Sequence, residues 1–227
     1  MKEFCKTIAW IVLSIVVAAG ALTGLNKILQ KPSVILTSTQ CDPTCWYGIH
    51  PGQEEPYAIY TALSKIKEVN PDSLIIENDR DDRISDIHWN FQRPAPDGTG
   101  AIYFNDDRVT AISITTVNSI RLGELFDKLG EPERYWTEIG QREYGEYARI
   151  YLFYPAKGYL ADVLIDFEPG ATQVEIRRST PVFRVTYFDP DLFQDLLETR
   201  ILIDEPAKTR RGSFVPWSGF GMLPIEN

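Results

Sequence analysis

The feature that most constrains this chain is the uncharged run from Thr7 to Leu25, which follows a start bearing Lys2 and Lys6. Its core, Ile8 to Ala19, is almost wholly apolar and lacks the polar stripe by which a surface helix faces water. A helix needs roughly 20 such residues to span a bilayer core, and the run just reaches that length. Residues 1–25 therefore read as an N-terminal membrane anchor or signal segment. Retention and removal both stand open, because Ala19-Gly20-Ala21 fits a small-x-small cleavage site. Lys2 and Lys6 before the run are matched by Lys27 and Lys31 after it, so the flanking charges do not set an orientation. The sequence Cys41-Asp-Pro-Thr-Cys45 lies beyond the run, and a pair placed there suits a compartment in which disulfides persist. The location expected is the cell membrane, single-pass, with the C-terminal domain extracytoplasmic.

Cys41 and Cys45 are expected to close a small disulfide loop, with free thiols as the alternative. A zinc site asks for further ligands at suitable spacing, and the only histidines are His50 and His88. No metal and no cofactor is expected. The net charge of −9 is concentrated from Cys41 onward, where 31 of the 32 acidic residues lie. An acidic surface repels polyanions, which argues against nucleic acid as a partner.

Periodicity divides the remainder. Residues 26–44 form a tether. Pro51-Gly52 leads to a helix that opens at Pro56, a residue suited to the first turn. Ala58, Ile59, Ala62, Leu63, Ile66 and Val69 extend its apolar stripe to about four turns. Strands are expected around Ile84 to Phe91, at Ala101 to Phe104 and at Val109 to Thr115, the last two joined by a tight turn at Asn105-Asp106-Asp107. The order then repeats. Ser119 is a candidate N-cap; Leu122, Leu125, Phe126 and Leu129 form a stripe; Gly130 stands where a helix ends, and Pro132 blocks continuation. Strands follow at Arg149 to Tyr154, Tyr159 to Phe167 and Gln173 to Arg178, with Val182 to Phe188 as an edge strand and a short last helix opened by Asp189-Pro190. The fold class expected is α+β: an N-terminal transmembrane helix, then two tandem units, residues 45–117 and 118–203, each an amphipathic helix packed on an antiparallel meander. Residues 204–227 form an irregular tail whose Phe214, Trp217 and Phe220 either pack back or hang free.

Leu129-Gly130-Glu131-Pro132 ahead of a meander, and Pro51-Gly52 ahead of a helix that precedes strands, resemble the BamE/beta-lactamase-inhibitor-protein-like superfamily. The resemblance implies exported modules with helices on a concave antiparallel sheet, often in tandem, that act by binding proteins. It also implies a place among bacterial envelope proteins, and it carries no functional residue with it.

Chemistry is sparse. The cluster Asp79-Arg80-Asp81-Asp82-Arg83 lacks the glycine turn and distal glutamate of a calcium loop, and its arginines favour a self-paired surface loop. No nucleophile elbow, phosphate-binding loop or zinc-protease motif occurs. Aromatics are the better lead. Trp136, Tyr144, Tyr147, Tyr151 and Phe153 crowd the second unit, either as an open binding face or as packing beneath the tail. The function expected is a non-enzymatic, membrane-anchored module that binds an envelope protein or ligand. The alternatives are a small envelope hydrolase with an unrecognised site and a purely structural spacer.

Overall fold

Alternation of apolar and polar residues makes strands the dominant regular element of the described chain. The computed structural model describes residues 33–37, 45–93, 95, 98–116, 119–143, 145–199, 201–202 and 214–225. All of these lie in one compact unit, residues 32–227. Two meanders come first: β1 (Ile75–Asn78), β2 (Ile84–Asn90), β3 (Thr99–Asn105) and β4 (Arg108–Thr115), then β5 (Arg134–Arg142), β6 (Gly145–Tyr154) and β7 (Tyr159–Phe167). They are followed by β8 (Gln173–Ile176), β9 (Arg184–Phe188), β10 (Val215–Pro216) and β11 (Gly221–Pro224). Nine strands make one antiparallel sheet in the order β1-β2-β3-β4-β9-β7-β6-β5-β10, and β8 pairs with β11 as a separate ribbon. The helices are short: α1 (Val34–Thr37), α2 (Pro56–Leu63), α3 (Leu122–Leu129) and α4 (Phe193–Leu196).

The register gives the sheet two unlike faces. On one, Ile87, Ile102, Ile112, Tyr187, Tyr159 and Tyr154 form a row across the strands. This face is apolar along its length. It packs with Ile59 and Leu63 of α2 and with Leu122, Leu125, Phe126 and Leu129 of α3. Each such aliphatic or aromatic side chain taken out of water stabilises the fold by about 1.5–3 kcal/mol before entropy is counted. The C-terminal carbonyls of α3, which no helical N–H reaches, are met from the sheet. The Tyr159 hydroxyl and Lys157 Nζ donate to the Leu129 carbonyl at 2.6 and 2.8 Å, and the Tyr154 hydroxyl donates to that of Gly130 at 3.0 Å. Burial pushes both phenols well above their usual pKa.

The opposite face divides in two. Across β5, β6, β7 and β9 it is aromatic and covered: Trp136, Tyr151, Phe153 and Phe188 lie beneath Phe193, Leu196, Leu197 and Phe214. Across β1 to β4 it carries polar side chains and lies open.

The fold expectation needs correction. Two tandem helix-plus-meander units give way to one continuous sheet, because β9 is no edge strand. Ala111 to Thr115 pair with one side of it and Tyr159 to Asp162 with the other, fusing the meanders. The first helix stops at Leu63 rather than running four turns, since Val69 bridges to Phe91 and the Asn70 N–H donates to the Asn90 carbonyl, which ties that segment to β2. The cap of α3 is Arg121, whose N–H donates to Glu124 Oε2 at 2.8 Å, rather than Ser119. The anchored, single-pass membrane location, with its transmembrane helix and signal anchor, is also withdrawn. No helix among the described residues is long and apolar enough to cross a membrane. Residues 7–25, from which that location was read, lie outside the described residues.

Candidate functional site

The open half of the polar face is built by strand alternation. Two residues apart on β2, Asp86 and His88 share this face. Glu77 stands directly opposite Asp86, and Ile75 opposite His88. Continuing across the sheet, Tyr103 pairs with Asp86, Ala101 with His88, Ser113 with Ala101, and Arg184 with Thr115. Small side chains at Ala101, Ser113 and Thr115, between the bulkier His88, Tyr103 and Arg184, leave a cavity of about 290 Å³.

One wall of that cavity is charged from beneath. Arg184 and Arg149 converge on Asp162, which is fully buried. Arg184 Nε and Nη2 lie 3.0 and 2.8 Å from Asp162 Oδ2, and Arg149 Nε and Nη2 lie 3.2 and 2.8 Å from the same oxygen. Two guanidinium groups thus share one carboxylate, which leaves a net positive charge of one in a chain that is negative overall. Arg149 is held between the rings of Tyr151 and Phe183, at 5.0 and 5.6 Å, an arrangement that favours a cation. Arg184 lines the cavity.

Beyond His88, which lines the cavity, the face turns acidic. Glu77, Asp86 and His88 place their ligand-type atoms within 4.8 Å of one another. His88 Nε2 is 2.5 Å from Asp86 Oδ1. The protonated imidazole is therefore the ion-pair partner of Asp86. Oδ2 of the same carboxylate accepts from the Ser85 hydroxyl at 2.9 Å.

The residues singled out from sequence lie elsewhere. Trp136, Tyr151 and Phe153 are buried beneath the covered half. Trp136 stacks on Tyr151 at 5.5 Å, Phe214 meets the Phe153 ring at 5.1 Å, and the Tyr151 hydroxyl donates to Glu138 Oε2. Tyr147 is half-buried with the Arg142 guanidinium 4.5 Å over its ring. Tyr144 lies outside the described residues, as does Cys41; Cys45 is disulfide-bonded. The loop 79–83 is self-paired: Arg83 reaches Asp79 and Asp81 as well as Asp106 of the next hairpin, and the Arg83 and Asp81 N–H groups donate to Asp79 Oδ1. Those bonds, that of the Arg83 N–H foremost, hold the Asp79 carboxyl below its usual range. His50 is exposed with Nδ1 3.1 Å from the Pro51 carbonyl. Glu77, Asp86 and Arg184 escaped the sequence reading. The available signal was the Asp86-Ile87-His88 spacing, which puts an acid and an imidazole on one face of any strand that contains it.

Comparison of the chain with protein-family models, with curated proteins and with solved structures gives no match.

Proposed function

We propose that this unit is a binding module whose open half-sheet takes a small ligand bearing a carboxylate or phosphate group. The observation that carries the reading is Arg184, one of two arginines that share a single aspartate, at the wall of a cavity lined by Ser113, Thr115 and Tyr103. Asp162 and the Leu202 carbonyl hold the Arg184 guanidinium in one orientation at the cavity wall, and a fixed guanidinium is suited to planar oxyanions. A small ligand is favoured over a protein because Trp136, Tyr151 and Phe153, the anchors a protein partner would use, are buried. The likeness of Leu129-Gly130-Glu131-Pro132 to the BamE/beta-lactamase-inhibitor-protein-like modules, which act by binding, is in keeping with a binding role.

Calorimetric titration of the full chain with inorganic phosphate, succinate and citrate tests the reading. Saturable binding that weakens with salt, and that falls about tenfold, or about 1.4 kcal/mol, in Arg184→Lys, is expected. The lysine keeps the charge beside Asp162 but loses the planar fork. Absence of saturable binding to all three anions, or equal binding by Arg184→Lys, would overturn it.

A further inference from the structure

The walls of the cavity narrow the class of ligand, on the footing that Arg184 receives an oxyanion. We infer that the ligand is a sugar acid: a single carboxylate for Arg184, and an otherwise neutral, hydroxylated ring for the strands beside it.

The first support is the order of side chains on the open face. Asn90, Thr99 and Thr115 stand two residues along their strands from His88, Ala101 and Ser113, and so share that face with them. Asn90 pairs with Thr99, and Thr115 with Arg184. The four form one polar row from β2 to β9 along the cavity. Neighbouring hydroxyls are already engaged: that of Ser113 with Thr186 at 3.2 Å, and that of Ser73 with the Asn70 carbonyl at 2.7 Å. Among the described residues, the Asn90 amide and the Thr99 and Thr115 hydroxyls have no such partner. Each can both donate and accept, as the hydroxyls of a sugar do.

The second support is the facing wall. On β3, Ala101 lies between Thr99 and Tyr103. The Tyr103 ring packs partly against the covered half and meets the His88 imidazole edge-on at 6.3 Å. A small floor with a polar row on one side and an aromatic ring on the other suits a ring whose rim carries hydroxyls and whose face carries C–H groups.

The third is charge and size. Arg149, Arg184 and Asp162 leave one positive charge at the β9 end, a match for one carboxylate. Beyond the opposite end, Asp86 is paired with His88, and Glu77 adds a negative charge directly across from Asp86. A second anionic group there would be repelled, which selects against dianions. The cavity of about 290 Å³ falls just below the roughly 300–1,000 Å³ of pockets for larger ligands, so it takes one ring and not a chain.

Calorimetric titration of the full chain with glucuronate, acetate, succinate, inorganic phosphate and glucose tests the class. Glucuronate should bind at least about tenfold more tightly than any of the others. Thr99→Val and Asn90→Ala, both away from Arg184, should each weaken glucuronate about fivefold, the worth of one neutral hydrogen bond, and leave acetate unchanged. Arg184→Lys should weaken both acids. Circular dichroism of each variant checks the fold. Methyl glucuronoside, capped at its anomeric oxygen, separates the two sources of this chemistry: a capped sugar that still binds assigns the site to the end of a glycan, and one that does not assigns it to the free sugar acid. Acetate, succinate and phosphate bound through Arg184 with glucuronate no tighter would overturn the sugar acid and leave the anion reading standing. Glucuronate binding unmoved by both Thr99→Val and Asn90→Ala would do the same. Absence of binding by every acid tested would remove both.

Discussion

Asp162→Asn should destabilise the unit by about 3–5 kcal/mol, the usual cost of leaving a buried charge without its partner. The structure explains why the cost is of this size. The Asp162 carboxylate is fully buried, the side chains of Arg149 and Arg184 are 8% and 13% exposed, and all four guanidinium contacts fall on one oxygen, Oδ2. Neutralising that oxygen strands two cations. Arg184 borders the cavity and regains some water, which places the expectation nearer the lower end. Urea unfolding followed by tryptophan fluorescence reads the effect: with a slope of about 2 kcal/mol per molar, the midpoint should fall by about 1.5–2.5 M. The triple variant Arg149→Met, Asp162→Leu, Arg184→Met separates charge from packing, since apolar replacement of a whole buried ion group is often neutral or stabilising. A midpoint for Asp162→Asn within about 0.5 M of the native protein, which at that slope is about 1 kcal/mol, would refute the reasoning. So would a triple variant as unstable as the single one, because the loss would then lie in shape and not in stranded charge.

Two further outcomes follow from the other face of the sheet. Gly100→Ala should cost about 1–3 kcal/mol by overpacking and should shift the tryptophan fluorescence. An added Cβ would lie 2.0 Å from Trp89 Cζ2, in an indole that is buried and stacked on Trp46 at 5.2 Å, so an unchanged melting temperature would refute the contact. The buried phenols of Tyr154 and Tyr159 set an alkaline limit. Their folded pKa values are raised above the ordinary 10.0, first by burial, so their contribution is fully present below pH 10 and is lost as pH rises beyond it, where the unfolded chain releases those protons first. Absorbance at 295 nm should show at least two of the eleven tyrosines ionising only with unfolding, and full ionisation near pH 10 with the fold intact would contradict the burial.

What was legible in the chain was local. The Asp106-Asp107 turn is visible as turn chemistry, and both residues adopt the positive φ that a tight hairpin requires, 49° and 61°. The cores of β2, β3, β4, β6 and β7 show as alternation or apolar runs. Strand β5 did not, because its apolar residues Tyr135 and Ile139 are interleaved with Glu138, Gly140 and Gln141. Partner choice was the larger loss. Arg184 to Phe188 reads equally well as an edge or a centre, and only tertiary pairing on both sides makes it the centre. Gln173 to Ile176 looks like another sheet strand but pairs with β11 from the tail. The candidate site was hidden for the same reason. Glu77 and Asp86 are nine positions apart and become neighbours only once the β1–β2 register is set, including its shift between Glu77 and Asn78. The aromatic cluster was visible by composition, but whether it was covered depended on α4 and Phe214.

The central place of β9 has a consequence for the order of assembly. Each meander pairs residues close in sequence and can form early, whereas the seam between them waits for a strand made later in the chain: Ser113 meets Thr186 across 73 positions. Closing a loop of that size carries an entropic cost that local hairpins avoid, and such long-range pairing slows folding. Until β9 inserts, β4 and β7 are two bare strand edges with unpaired N–H and C=O groups, the surfaces most prone to pair between molecules. The strand that unites the sheet is therefore also the one whose delay exposes the chain to aggregation.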